Sequence, residues 1–125
     1  MQKYRLMIVD DQKRTRDSLT ALLRTWEQAG EIQEAVNGLE AIGLAQVFQP
    51  DIILMDVRMC KMDGIQAARI IKQQAPQVKV IILSMYPDFD HEAMDANADA
   101  FVSKGESPER LLGIIQMLAV GIDIN

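Results

Sequence analysis

The chain has 125 residues, a formal charge of −5, 49% apolar residues and 25% charged residues, which suits one domain with one core and excludes a disordered segment. The acidic balance disfavours unaided nucleic-acid binding, which needs a basic face to displace counterions. No apolar run approaches the roughly 18 residues of a membrane span, the N-terminus lacks the long apolar region of a signal peptide, and the single cysteine, Cys60, cannot form an internal disulfide, so a cytoplasmic protein is expected.

Leu6-Met7-Ile8-Val9 is a first strand candidate and ends in Asp10-Asp11. From Lys13 the period changes. Leu19, Leu22, Leu23 and Trp26 fall at i, i+3, i+4 and i+7, one stripe of an amphipathic helix, and Gly30 is expected to close it. Residues 32–36 form a short second strand, and Asn37-Gly38 is a turn signal. A second helix is predicted over 39–48, with Pro50 as its limit. Ile52-Ile53-Leu54-Met55 reads as a strand buried on both faces, with Asp56 at its carboxyl end. A third helix spans about 65–74 and stops before Pro76; a fourth strand covers 78–83 and ends in Ser84. The polar stretch 88–97 has a poor helical pattern, with only Ala93, Met94 and Ala96 as apolar content, so the fourth helix is expected to be short, shifted or mobile. Ala100-Phe101-Val102-Ser103 is a fifth strand, ending in Lys104. Ser107-Pro108-Glu109 starts the last helix with a cap, a proline at the first position and an acid in the first turn. Leu111, Ile114, Ile115 and Leu118 give its stripe; Leu112 and Met117 lie beyond it and either widen the buried edge or offer a dimer face. The division expected is one domain over 1–120, with 121–125 a frayed end.

Five alternations of strand and helix imply an α/β fold, a parallel sheet with helices on both faces. Ligands bind beyond the carboxyl ends of the strands in such sheets. Those ends are Asp10-Asp11, Asp56, Ser84 and Lys104, so one shallow site gathers three carboxylates, a hydroxyl and an ammonium. Clustered carboxylates repel, which raises at least one pKa unless a cation is present. Hard oxygen ligands with room for water suit Mg²⁺. Beside that ion Asp56 can act as a nucleophile, as carboxylates that form aspartyl-phosphates do. Phosphoryl transfer needs in-line placement and charge neutralisation above all. A single Asp at a strand end is ordinarily a turn residue or a cap, a single Ser is ordinarily structural, and a single Lys is ordinarily solvated. The joint pattern carries the inference.

These residues make the chain resemble the receiver domain of a bacterial two-component response regulator. The resemblance rests on Ile8-Val9-Asp10-Asp11, on Leu54-Met55-Asp56-Val57-Arg58-Met59 with Met62-Asp63-Gly64, on Ile82-Leu83-Ser84-Met85-Tyr86, and on Ala98-Asp99-Ala100-Phe101-Val102-Ser103-Lys104. It implies a flavodoxin-like three-layer (βα)5 sandwich with strand order 2-1-3-4-5. It implies a signalling phosphoacceptor that catalyses its own phosphotransfer and its own slow dephosphorylation. Asp56 would accept a phosphoryl group from a sensor histidine kinase. Asp10, Asp11, Asp56 and the backbone carbonyl of Arg58 would hold Mg²⁺, with Asp11 a more direct ligand than Asp10. Lys104 and Ser84 would contact the phosphoryl oxygens. Ser84 and Phe101 would switch the face built from the fourth helix, fifth strand and fifth helix, which would control an output domain or partner in transcription regulation, with homodimerisation on activation.

Two departures stand out. Cys60 occupies a place where the family commonly has proline, whose fixed φ would stiffen the loop, so a looser loop is expected. Gly105 follows Lys104 where many receivers carry proline, which fits the LuxR/NarL type, whose output domain is a helix-turn-helix. The ending Ala119-Val120-Gly121 resembles a run into a linker. Rival readings fit less well. A receiver-like interaction module that works without phosphorylation would have lost an acid or the lysine. A haloacid dehalogenase-type phosphatase would carry an acid two residues after the nucleophile, where Arg58 stands. In a flavodoxin, Asp10-Asp11 would repel the phosphate of the flavin.

Overall fold

The computed structural model describes residues 2–85 and 90–122. Tyr86 of the third motif, Asp88 and Phe89 of the polar stretch, and the expected frayed end from Asp123 onward lie outside the described residues. Ten elements alternate along the chain: β1 (Tyr4–Val9), α1 (Lys13–Arg24), β2 (Ala29–Ala35), α2 (Gly38–Phe48), β3 (Ile52–Asp56), α3 (Gly64–Gln74), β4 (Lys79–Ser84), α4 (Asp90–Asp95), β5 (Ala100–Ser103) and α5 (Pro108–Ala119). The strands pair in parallel in the order β2-β1-β3-β4-β5. This is the flavodoxin-like order expected from the resemblance.

The side-chain period of two divides the core. Leu6 and Ile8 of β1, with Ile52 and Leu54 of β3, face a cluster completed by Leu23 of α1 and Leu111, Ile115 and Leu118 of α5. Met7 and Val9, with Ile53 and Met55, face the other cluster, completed by Ala41 of α2, Ile65 and Ile71 of α3, and Ala93 of α4. A strand that feeds both faces must be apolar throughout, which is why β3 reads as a continuous apolar run. Three helix starts are capped as their sequences require: Asn37, Asp63 and Ser107 accept from the amides of Glu40, Gln66 and Arg110 at 2.8, 2.9 and 3.2 Å.

Three expectations need correction. Gly30 does not close the first helix. That helix ends at Arg24, where the Thr25 amide turns back onto Leu22 O at 3.1 Å and the Trp26 amide onto Leu23 O at 3.0 Å. Trp26 therefore lies past the helix, though it remains buried and stacks on Tyr4 with ring centroids 5.4 Å apart. Gly30 belongs to β2, where an added Cβ would stand 2.8 Å from Tyr4 O; the β1–β2 register shifts beside it. Finally, Val36 lies outside β2, which starts and stops earlier than expected. Among the described residues the fourth helix spans six, Asp90–Asp95. Leu112 packs against the α1–α5 cluster, whereas Met117 is exposed.

Candidate functional site

β1, β3, β4 and β5 all end at one edge of the sheet, and their last residues meet there. Asp10 follows β1 directly and is buried, its amide held by Ala35 O at 3.1 Å. Its Oδ1 accepts the Gln12 amide at 2.9 Å, which turns the chain into α1. Its Oδ2 accepts Lys104 Nζ at 3.0 Å. The same ammonium lies 3.1 Å from Asp56 Oδ1. Asp11 is exposed, and one oxygen from each of Asp10, Asp11 and Asp56 falls within 4.8 Å of the others. Four of the residues singled out in the sequence are thus brought together: Asp10, Asp11, Asp56 and Lys104.

Ser84 closes β4 and is buried. Its neighbour Leu83 pairs in register with Asp56, and its carbonyl accepts the Lys104 amide at 2.8 Å. Arg58 lies in the loop two residues past Asp56, with an exposed side chain. Phe101 stands apart from the acids, within β5 opposite Ile82, half-buried against the α2–α3–α4 cluster. Gly105, where proline is common in the resembling family, donates its amide to Ser103 Oγ at 3.1 Å, a bond that proline cannot make.

Charge explains the arrangement. Burial pushes the Asp56 carboxyl above the usual aspartate range; the Lys104 ammonium opposes this, and the Asp10 carboxylate adds to it. Burial also works against the Lys104 ammonium, but its hydrogen bond to Asp10 and its closeness to Asp56 outweigh that, so its pKa lies above the usual lysine value. The pocket thus demands positive charge. Three carboxylates are the hard donors that Mg²⁺ prefers, and the exposure of Asp11 leaves room for the water ligands that Mg²⁺ retains. The donor set fits the ion.

The backbone under Asp56 is tightly held in ways the sequence reading passed over. An added Cβ at Gly64 would fall 1.9 Å from Asp56 O, so glycine alone fits there, and the Gly64 amide closes onto Val57 O at 2.9 Å. Lys61 and Met62 both take positive φ, 52° and 81°. Their carbonyls accept the first amides of α2, Leu39 to Lys61 at 3.3 Å and Gly38 to Met62 at 3.2 Å. The loop carrying Cys60, itself exposed, is therefore tied to the start of α2. The glycine of an Asp-Gly pair is a signal that could have pointed to the close approach; left-handed lysine and methionine give none.

This chain has relatives among known proteins. It matches the response regulator receiver domain family over residues 6–116. It is 36% identical over 110 residues to the uncharacterized transcriptional regulatory protein YhcZ of Bacillus subtilis, covering 86% of this chain and 51% of that protein. It is 31% identical over 119 residues to the response regulator protein VraR of Staphylococcus aureus, covering 94% of this chain and 57% of that protein. The chain spans about half the length of these relatives. Among solved structures it resembles a two-component response regulator of the LuxR family from Aurantimonas, with TM-score 0.91 and 28% identity, covering 97% of this chain and 88% of the other. It also resembles a DNA-binding response regulator of the LuxR family from Staphylococcus aureus, with TM-score 0.86 and 28% identity, covering 93% of this chain and 98% of the other.

Proposed function

Because this chain belongs to the family of response regulator receiver domains, we propose that it is the phosphorylatable input half of a two-component switch. One observation carries this reading: the Lys104 ammonium bridges Asp10 and Asp56 while Asp11 completes a group of acids within 4.8 Å.

In this reading Asp56 is the nucleophile. One carboxylate oxygen attacks phosphorus, the bond from phosphorus to the donor's imidazole nitrogen breaks, and the electron pair leaves with that nitrogen. Bound Mg²⁺ would neutralise charge on the phosphoryl oxygens and keep the acids ionised. Asp10, Asp11, Asp56 and the carbonyl of Arg58 would hold it. Lys104, already 3.1 Å from Asp56 Oδ1, pairs with a phosphoryl oxygen, and the Ser84 hydroxyl bonds another. The new group adds charge and acceptors at the sheet edge. Ser84 moves towards it, Phe101 takes the space released, and the α4–β5–α5 face changes population between two states. Its partners are a sensor histidine kinase and an output domain, and the LuxR-family likeness favours control of transcription with homodimerisation on activation. Residues 1–120 form the receiver unit. No helix of the described residues is long and apolar enough to cross a membrane, and a cytoplasmic place fits a kinase-driven switch.

The test is labelling with acetyl phosphate and Mg²⁺, followed by borohydride reduction and mass spectrometry. Label at Asp56, absent from Asp56→Asn, is the expected result. Label that persists in full in the variant moves the nucleophile elsewhere.

A further inference from the structure

The turn that carries the two leading aspartates is gripped from both sides. On one side the Asp10 amide donates to Ala35 O of β2. On the other, the Asp10 carbonyl oxygen accepts from Arg16 Nη1 at 2.9 Å. The same guanidinium donates through Nε to Glu34 Oε1 at 2.7 Å. Glu34 precedes Ala35 on β2 and pairs in register with Ile8. Arg16 thus joins three elements with one planar group. Its side chain is only 13% exposed, against 39% for Glu34, so the guanidinium is largely shielded while its partner keeps contact with water. A lysine could not serve both acceptors in fixed geometry.

Asp11 is where this grip has its effect. Asp11 is exposed, so the fold acts on its carboxylate through the backbone from which it projects. The peptide unit from the Asp10 carbonyl to the Asp11 Cα is rigid and planar. Holding the Asp10 oxygen therefore orients the plane from which Asp11 projects. The far end of the turn is held by the Gln12 amide on Asp10 Oδ1, and Gln12 adds no side-chain cap, so Arg16 is the side chain that holds the near end through the Asp10 carbonyl. Asp10 itself is already fixed through both carboxylate oxygens, so the acid that depends on Arg16 is Asp11.

We infer that Arg16, braced by Glu34, is a positioning residue that aims the Asp11 carboxylate at Mg²⁺ and thereby sets the affinity of the site. This rests on the metal-binding reading above. Two opposing effects of Arg16 make the inference decidable by sign. A cation beside an acid cluster weakens Mg²⁺ binding by charge alone. A group that orients a ligand from behind strengthens it, and its loss typically weakens metal binding about 10- to 100-fold. The Glu34 carboxylate offsets much of the guanidinium charge, so orientation dominates.

Mg²⁺ titration of the full chain, followed by amide NMR shifts and paired with thermal melting, separates these effects. Arg16→Met should weaken Mg²⁺ about tenfold. Arg16→Lys should fall between it and the parent, and decides the matter if Arg16→Met does not fold. Glu34→Gln keeps an acceptor oxygen but loses the balancing charge, so it should weaken binding less than Glu34→Ala does. In acetyl phosphate labelling, Arg16→Met should need more Mg²⁺ for half-maximal rate and reach the same plateau. Lys72→Met, which breaks an ion pair at the opposite edge of the sheet, should lower Tm and leave Mg²⁺ affinity alone. Unchanged affinity in Arg16→Met with a lowered Tm would make Arg16 only a tie between α1 and β2. Tighter binding would make it only a competing charge. Either result overturns the inference. Asp11→Asn is the separate check: intact Mg²⁺ binding in that variant sinks the metal site itself.

Discussion

Asp56 is a carboxylate whose burial works against its ionised form, and the Lys104 ammonium beside it offsets this only in part. Its pKa is raised, with burial as the main cause, so the folded chain binds that proton more tightly than the unfolded chain. The stability this confers is fully present below the ordinary aspartate value and is lost as pH rises through the raised one. At pH values above the raised pKa, without metal, the ionised form of Asp56 is therefore a burden on the fold. Asp56→Asn should melt at a higher temperature than the parent at pH 7.5 in a chelator, with the gap closing towards pH 4. An equal or lower Tm at pH 7.5 would show that Lys104 compensates the charge fully. Added Mg²⁺ should stabilise the parent by about 1.4 kcal/mol at ten times its Kd. The raised pKa of Lys104 acts in another window: its contribution is complete below the ordinary lysine value and is lost only in strong alkali as pH passes the raised value. Trp26 cannot report such titrations well, since it stacks on Tyr4 at the far end of β1 from the acids. The acids and the lysine were legible in the sequence because strand-end position is a matter of period alone. Arg16 was not, because its importance lies in two acceptors that only the folded chain brings to it.

At the scale of elements, β3 and the loop after it depend on one glycine. Gly64 opens α3, and its missing side chain lets the helix start lie against the Asp56 carbonyl. Gly64→Ala should destabilise the fold by about 3 kcal/mol, since backbone rather than a flexible side chain must move. It should also slow labelling of Asp56 because the strand end shifts. Denaturant unfolding checks the first effect and acetyl phosphate labelling the second; an alanine variant as stable as the parent would show that the loop yields freely. Element starts were readable because Asn37, Asp63 and Ser107 carry their chemistry in the residue itself. The end of α1 was not. Thr25 and Trp26 close it with ordinary backbone turns, and glycine was credited with a role that local hydrogen bonds had already filled. The left-handed pair Lys61 and Met62 was equally hidden. Their conformation answers to the amides of α2, which come from a distant part of the chain.

For the whole molecule, the proposed switch requires that a change at Asp56 reach a surface. The sheet edge offers a path. The Lys104 amide is bonded to the Ser84 carbonyl, Ser84 pairs with Ser103, and Phe101 lies two residues back along β5. Beside β5 stands α4, six residues long among the described residues, with Ala93 buried beneath it and Ala96 buried just past its end. An isolated helix so short is far below the length that sustains itself in water, so its stability comes from packing, and small rearrangements beneath it should shift its opening equilibrium. The weak helical pattern of 88–97 is consistent with a short helix, but strand order, and hence which helix meets which strand, came from the resemblance and not from periodicity. Acetyl phosphate with Mg²⁺ should therefore change hydrogen exchange at the amides of 92–96 and at Phe101 in the parent. Lys104→Ala keeps Asp56 and should still take up some label, yet it removes the group that, on the proposed reading, ties the phosphoryl oxygen to β5. In that variant, compared at equal occupancy of the label, the exchange of 92–96 should remain at its unphosphorylated rate. If the variant shows the same change as the parent, the signal does not pass through Lys104, and Ser84 alone must carry it to Phe101 and α4.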